Sequence, residues 1–360
     1  MSARANRVER LLALLPEAEV DVMLITGLVN VGYLTGYTGT NGIALIGQQA
    51  RTFVTDFRYV EQAAEEVDSS FERRRASLDL LDAVEESLPA GELRLGFEEA
   101  HMSVRQHRRL RELLPDRIEL AGVEGIVERL RAVKDADEVA RIRAAAALAD
   151  EAFERVIGNA LVGRTEREVA MDLEQEMRKL GAQRPSFDSI VAAGAHGALP
   201  HARPRDVPIG KGELVVVDWG AELDGYCSDC TRTLAAGEPG AQARDVYQLV
   251  LGAQLAGVEA VQAGAGCREV DAVARAVIDG GGHREHFGHG LGHGVGIEVH
   301  EGPRLSQRSD GSLLAGNVVT VEPGVYLPGG FGVRIEDLVV VTDEGHDILS
   351  GLSKELGVLE

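Results

Sequence analysis

The chain has 360 residues, an apolar fraction of 44%, a charged fraction of 26% and a formal charge of −21. So acidic a surface repels phosphate, which excludes nucleic acid and anionic membranes as expected partners, and no apolar run approaches the ~20 residues that a membrane-spanning helix needs. The length favours two domains over one; three cysteines without framework spacing, behind a start that lacks an apolar signal stretch, point to a reducing cytoplasm.

From Arg4 to Leu15 the apolar residues Val8, Leu11, Leu12 and Leu15 recur at helical spacing. Asp21 to Thr26 reads as a buried strand, Gly32 to Gly42 as a loop rich in Gly, Thr and Tyr, and Ile43 to Ile46 and Thr52 to Thr55 as short strands. A helix over Arg58 to Glu66, a strand near Phe71, a helix over Leu78 to Ser87, a strand over Leu93 to Phe97, a helix over Val104 to Leu114 and a strand over Ile118 to Leu120 follow. This alternation predicts a mixed sheet covered by helices. The basic clusters at Arg73 to Arg75 and Arg105 to Arg111 read as solvated faces, and Tyr33 and Tyr37 either border a site or subunit contact or serve the loop's structure. No GxGxxG or P-loop supports nucleotide binding here.

Glu124 to Lys134 is a charged helical segment, and Asp135 with Glu138 three residues on forms a capping pattern that opens a long Ala-rich helix ending near Leu161. A boundary therefore falls between about Ala121 and Asp135, dividing the chain into expected domains 1–125 and 126–360. After a helix from Thr165 to Leu180 the sequence becomes strand-rich, and seven of the ten histidines lie between positions 196 and 300.

Their densest run is His286-Phe-Gly-His-Gly-Leu-Gly-His-Gly-Val-Gly-Ile-Glu-Val-His-Glu301, with four histidines, two acids and five glycines in sixteen residues. Alternating glycines disfavour a helix by ~1 kcal/mol each and suggest extended chain in close approach to a neighbour. His289 and His293, an even number apart, share one face of such a chain; His300 joins them only through a bend or bulge at Gly294 or Gly296.

Two strand runs end in acids. Leu214-Val-Val-Val-Asp218 is followed by Glu222-Leu-Asp-Gly225, and with these four as a turn Ala221 faces Tyr226 and Asp218 lies opposite Asp229. Val318-Val-Thr-Val-Glu322 is followed by the turn Pro328-Gly-Gly-Phe331, and with Leu327 opposite Gly332 the returning strand brings Glu336 to within one position of Glu322. Directly opposed like charges need a cation or a proton between them. Four carboxylates and one imidazole suit two divalent ions, Mn²⁺, Co²⁺, Fe²⁺ or Zn²⁺, among which oxygen-rich ligation does not choose, and a pair of such ions is machinery for hydrolysis. Cys227-Ser-Asp-Cys230 has the form of a redox motif, but it lacks the strand-to-helix setting and its acid serves better as a ligand.

Val217-Asp-Trp-Gly-Ala221 with Tyr226-Cys-Ser-Asp-Cys-Thr-Arg-Thr233, the segment from Gly288 to Glu301, Thr320-Val-Glu-Pro-Gly-Val-Tyr326 and Gly332-Val-Arg-Ile-Glu-Asp337 together resemble the prolidase and aminopeptidase P group of the pita-bread metallopeptidases. Gly32-Tyr-Leu-Thr-Gly-Tyr-Thr-Gly-Thr-Asn-Gly42 and Thr55-Asp-Phe-Arg-Tyr59 resemble the creatinase-type N-terminal domain of the same group. The resemblance implies an α/β (α+β) fold with a mixed-sheet N-terminal domain and a pita-bread catalytic domain. It implies that Asp218, Asp229, His293, Glu322 and Glu336 hold two metal ions and that Glu322 also manages the proton of the attacking water. His201 and His300 would bind substrate and stabilise the oxyanion, His289 would line the proline pocket, Arg334 would support the ligand carboxylates and Arg304 would clamp the free carboxylate of a dipeptide. His196 stands where many relatives carry Asn, and it is read with His283 and His286 as structural.

The expected activity is hydrolysis of Xaa-Pro dipeptides by a homodimer. The alternative is aminopeptidase P action on longer Xaa-Pro peptides. A metal-free creatinase and a catalytically dead scaffold on the same fold are both opposed by the intact ligand set, and methionine aminopeptidase by the N-terminal domain.

Overall fold

The computed structural model describes residues 3–158 and 160–359, and the chain separates into two compact units, Met1–Arg131 and Ala132–Glu360. The first holds β1 (Val22–Ile25), β2 (Ile43–Gly47), β3 (Ala50–Thr55), β4 (Glu72–Arg75), β5 (Leu93–Glu98) and β6 (Ile118–Val123) in one sheet of order β4-β3-β2-β1-β5-β6. The three middle strands run antiparallel and the outer pairs parallel, so the sheet is mixed. Val22, Leu24, Leu45, Val54, Leu95 and Leu110 form its core.

Three elements of this unit differ from the sequence reading. Gly32 to Gly42 opens inside a helix, Leu28–Thr35, because Val31, Leu34 and the ring of Tyr33 bury one face; Gly36 then ends it in the left-handed conformation at φ 87°. The strand near Phe71 starts one residue later and runs Glu72–Arg75, an edge strand whose charged side chains reach solvent and carry no apolar alternation. The helix over Leu78 to Ser87 is two short 3₁₀ turns, Leu80–Ala83 and Glu85–Ser87, the first capped by Asp79. Tyr33 and Tyr37 lie in the interior of the unit, Tyr37 against Phe53 at 4.7 Å between ring centroids and Tyr33 beneath the guanidinium of Arg7. Arg74 and Arg109 pair with Glu72 and Asp82 on exposed faces, where such pairs contribute little.

In the second unit, Asp135 and Glu138 close a capping box at the start of the helix Ala136–Ile157. That helix was expected to run to about Leu161; it ends at Ile157, and Asn159 lies outside the described residues. Thr165 caps Glu166–Leu180 in the same way. These two helices pack on a four-stranded sheet built around Glu213–Trp219 and Cys230–Ala236, with Trp219 stacked on Phe153 at 4.2 Å and its indole N–H donating to the Ala149 carbonyl at 2.9 Å. The helices Ala241–Glu259 and Cys267–Gly280 pack on a second sheet, of five strands, in which Val318–Val321 lies between Gly292–Gly294 and Asp337–Val341. Each sheet therefore turns one face to helices and leaves the other for the site.

The registers correct both hairpins. Leu223 pairs with Tyr226 across the two-residue turn Asp224-Gly225, where both residues take positive φ, 50° and 76°. Asp218 consequently lies opposite Thr231, not Asp229. The slip is of two residues, and because side chains alternate with period two it leaves Asp229 on the predicted face. In the second hairpin Leu327 pairs with Phe331 across Pro328-Gly329-Gly330, not with Gly332. Val321 pairs with Asp337 and Gly324 with Arg334, so Glu322 and Glu336 occupy matching places where the chain passes from one ladder to the next.

Candidate active site

The alternation of Glu213–Trp219 sends Val215, Val217 and Trp219 to the helices and so turns Asp218 the other way. Thr231, its partner, faces the second sheet and donates its hydroxyl to Glu336 Oε2 at 2.6 Å. Asp218, Asp229 and Glu336 each bring an oxygen within 4.8 Å of the others, and all three are buried. Glu322 and His293 complete the group, with His293 Nε2 at 3.3 Å from Glu322 Oε1 and 3.6 Å from Asp229 Oδ2.

His293 reaches this place through the glycine run. It pairs with Arg304 on the strand Glu301–Leu305, and the register shifts between His293 and Gly294, a bulge at one of the two glycines expected to bend the chain. Strand closeness explains Gly292, where a Cβ would stand 1.9 Å from the Thr320 carbonyl oxygen. His289 and His300 lie outside the strands, yet both line the same cavity as His293, and the His300 ring sits 4.3 Å from that of His293.

A hydrogen-bonded frame holds the acids. Arg334, 3% exposed, donates to Asp218 Oδ2 at 2.6 Å, the Tyr326 hydroxyl at 2.9 Å, Thr231 Oγ1 at 3.1 Å and the Pro200 carbonyl at 3.1 Å. Thr320 accepts the His293 amide at 3.0 Å and donates to Glu322 Oε1 at 2.9 Å. Tyr326 bridges Arg334 to His289 Nε2, 2.9 Å away. Sequence reasoning missed Thr231, Thr320 and Tyr326, although a signal existed: Thr231 and Thr320 stand two residues from Asp229 and Glu322, the spacing that shares a strand face.

Burial, reinforced by the neighbouring carboxylates, pushes the proton affinity of Asp229 and of Glu336 well above the ordinary range; burial also raises that of Glu322. Burial lowers those of His293, His289 and His300, which favours the neutral imidazole a metal requires. For Arg334 burial opposes the charge, but the Tyr326 phenol and the carboxylates of Asp218 and Glu322 outweigh it.

Two carboxylate oxygens, Asp218 Oδ1 and Glu336 Oε1, are buried with no hydrogen-bond partner. Buried carboxyl oxygens left unpartnered in a cluster of acids are what a divalent cation would satisfy, so the residues present fit a metal centre. The other group of suitable composition, Glu98, His101 and Glu128 in the first unit, fits poorly. Glu98 already accepts from the amides of Thr26 and Gly27 and from Asn30.

The centre opens into a cavity of about 530 Å³ lined also by His201, His289, His300 and Arg304. His201, His300 and Arg304 are exposed at its surface. Of the remaining histidines, His196 meets the buried Glu166 at 2.9 Å, and His283 and His286 stand against each other away from the cavity lining. Cys227 and Cys230 are buried and burial pushes both thiols up, which opposes a thiolate role.

Two sheets, each with helices on one face, and a cluster of acids and one imidazole between their other faces define a pita-bread metallohydrolase. Residues 140–343 match the model for metallopeptidase family M24 and residues 7–133 that for the creatinase/prolidase N-terminal domain. The chain belongs to metallopeptidase family M24. It is 35% identical to a Xaa-Pro dipeptidase of Pyrococcus horikoshii over 99% of this chain and all of that one. A Xaa-Pro dipeptidase structure from Bacillus anthracis superposes with a TM-score of 0.95 at 41% identity, covering 99% of this chain and 100% of the other. An X-Pro aminopeptidase structure from Thermotoga maritima gives 0.89 at 37% identity, covering 98% and 100%.

Proposed function

We propose that this chain hydrolyses the peptide bond before proline in Xaa-Pro dipeptides. The observation that carries the reading is the meeting of four carboxylates and one imidazole in a single cavity, two of whose oxygens are orphaned, beside the guanidinium of Arg304. Asp218, Asp229, His293, Glu322 and Glu336 would hold two divalent ions, with Mn²⁺ the first expectation and Co²⁺, Zn²⁺ or Fe²⁺ equally compatible with the oxygen-rich set. Bound there, such ions supply acidification of water and polarisation of the scissile carbonyl.

The remaining work falls to side chains of the chain itself. Glu322, whose proton affinity burial raises, takes the proton of the attacking water and returns it to the departing imino nitrogen, using Oε2 because Thr320 holds Oε1. His201 and His300 direct N–H groups at the developing oxyanion. His289, oriented by Tyr326, borders the proline ring, and Arg334 keeps Asp218 in place. Arg304 binds the terminal carboxylate bidentately. A homodimeric assembly and a cytoplasmic setting complete the proposal; the three buried, unpaired cysteines fit a reducing compartment.

The similarity to an X-Pro aminopeptidase supports a second reading, removal of the first residue from longer peptides. Rates for Gly-Pro and Gly-Pro-Ala at matched metal loading decide between them. The dipeptidase reading expects Gly-Pro to be favoured by at least about tenfold in kcat/KM, roughly the worth of one charge-assisted contact to Arg304. Comparable cleavage of the tripeptide would overturn it.

A further inference from the structure

Outside the ligand cluster and its Arg334, three charged side chains line the cavity: Asp188, Arg203 and Arg304. Among the described residues, no hydrogen bond or ion pair engages the charged group of any of them. An Xaa-Pro dipeptide with a neutral side chain brings one carboxylate, for which Arg304 suffices. Arg203 is a second guanidinium with no assigned task.

The backbone that carries Arg203 is held on both sides. The Pro200 carbonyl accepts from Arg334 at 3.1 Å, and Ala202 is buried against Ile190 and Ala192. Two residues beyond Arg203, the Arg205 amide donates to Glu166 Oε2 at 2.9 Å while the Arg205 guanidinium grips both oxygens of the same carboxylate. Glu166, 1% exposed, also accepts from the Ala193 amide at 3.0 Å and pairs with His196, so it pins both ends of the segment between residues 193 and 205. A partnerless guanidinium on a fixed backbone is poised for an anion, since little of the chain has to be ordered when one binds.

We propose that Arg203 receives an acidic Xaa side chain, so that Asp-Pro and Glu-Pro are the preferred dipeptides. The inference rests on the dipeptidase reading and on Arg304 holding the terminal carboxylate. Charge complementarity supports it: such a dipeptide carries two carboxylates and one ammonium, and beyond the ligand cluster and Arg334 the cavity lining adds two arginines and one acid, Asp188. A basic Xaa would instead meet a like charge at Arg203.

The test compares kcat/KM for Glu-Pro, Leu-Pro and Lys-Pro with the full-length, metal-loaded chain. Glu-Pro is expected to exceed Leu-Pro about tenfold, as a charge-assisted bidentate pair implies, with Lys-Pro below Leu-Pro. Arg203→Ala should bring the Glu-Pro to Leu-Pro ratio close to one, and Arg203→Glu should place Lys-Pro above Glu-Pro. A ratio near one in the unaltered protein would overturn the inference. So would an Arg203→Ala variant that lowers all three substrates in proportion, because the residue would then serve a group they share. Failure to cleave any of the three would overturn the dipeptidase reading itself, and this inference with it.

Discussion

Asp229→Asn should remove nearly all turnover and at least one equivalent of bound metal, while the secondary structure stays intact. Loss of an outer hydrogen-bond partner costs a metal site roughly 10- to 100-fold, and removing a ligand should exceed that. The same change should act in opposite directions on stability with and without metal. In the metal-free protein Asp229 is a buried acid whose proton affinity is raised by burial and by the charges of Glu336, Asp218 and Glu322. Replacing it with a neutral amide relieves that crowding, so the apo variant should melt at or above the apo parent, whereas the gain in Tm on adding Mn²⁺ should shrink. Differential scanning calorimetry with and without EDTA, beside elemental analysis, measures both effects. A variant with full activity and unchanged metal content would remove Asp229 from the centre.

Arg334→Met is the second large effect. This guanidinium is the one side chain that touches Asp218, Tyr326, Thr231 and the Pro200 carbonyl together, all at 2.6–3.1 Å. Taking it away strands the buried Asp218 carboxylate and leaves three further groups short of a donor. Breaking a buried ion pair by removing one partner costs about 3–5 kcal/mol. In the catalytic unit that corresponds to a fall in Tm of roughly 10 °C. Metal should restore part of the loss by taking over the charge of Asp218, so the deficit is expected to be greatest in EDTA. Arg334→Lys keeps the charge without the planar fork and should fall between the two. A methionine variant that melts within a degree of the parent in EDTA would show that the frame around Asp218 carries little energy.

Most of the centre could be read from residue types because its acids interrupt apolar runs. Asp218 and Glu322 each end a stretch of valines, a place where a carboxylate has no structural reason to be. Parity did the rest. The register of the first hairpin is two residues from the one inferred, yet an even slip keeps the same side chains on the same face, so Asp229 still meets Asp218. The supports were less legible. A threonine in a strand is ordinary, and only the partner opposite it distinguishes Thr231, which binds Glu336, from a threonine that merely fills a β position. Tyr326 depends on two residues from different strands and on no local pattern at all.

The first unit was misread where local composition and burial disagree. Gly27, Gly32 and Gly36 resemble loop punctuation around Leu28–Thr35, but Val31 and Leu34 gain enough from burial to keep a helix that the glycines weaken. Glu72–Arg75 is a strand by virtue of its pairing with Thr52–Thr55, which supplies backbone partners that its four charged side chains do not advertise. Glu166 escaped notice for a similar reason, and His196, read as structural, was left without the partner that makes it so. Their value lies in fixing a segment that a sequence leaves shapeless.

Peptide hydrolysis by this chain requires five side chains that jointly hold two cations. The most direct measurement is the metal content of the purified chain after Mn²⁺ loading and gel filtration, taken together with Gly-Pro hydrolysis before and after EDTA. Two equivalents per chain, with cleavage abolished by the chelator and restored by adding Mn²⁺ back, is the predicted result. Fewer than one equivalent, or hydrolysis that continues at the same rate in EDTA, would contradict it.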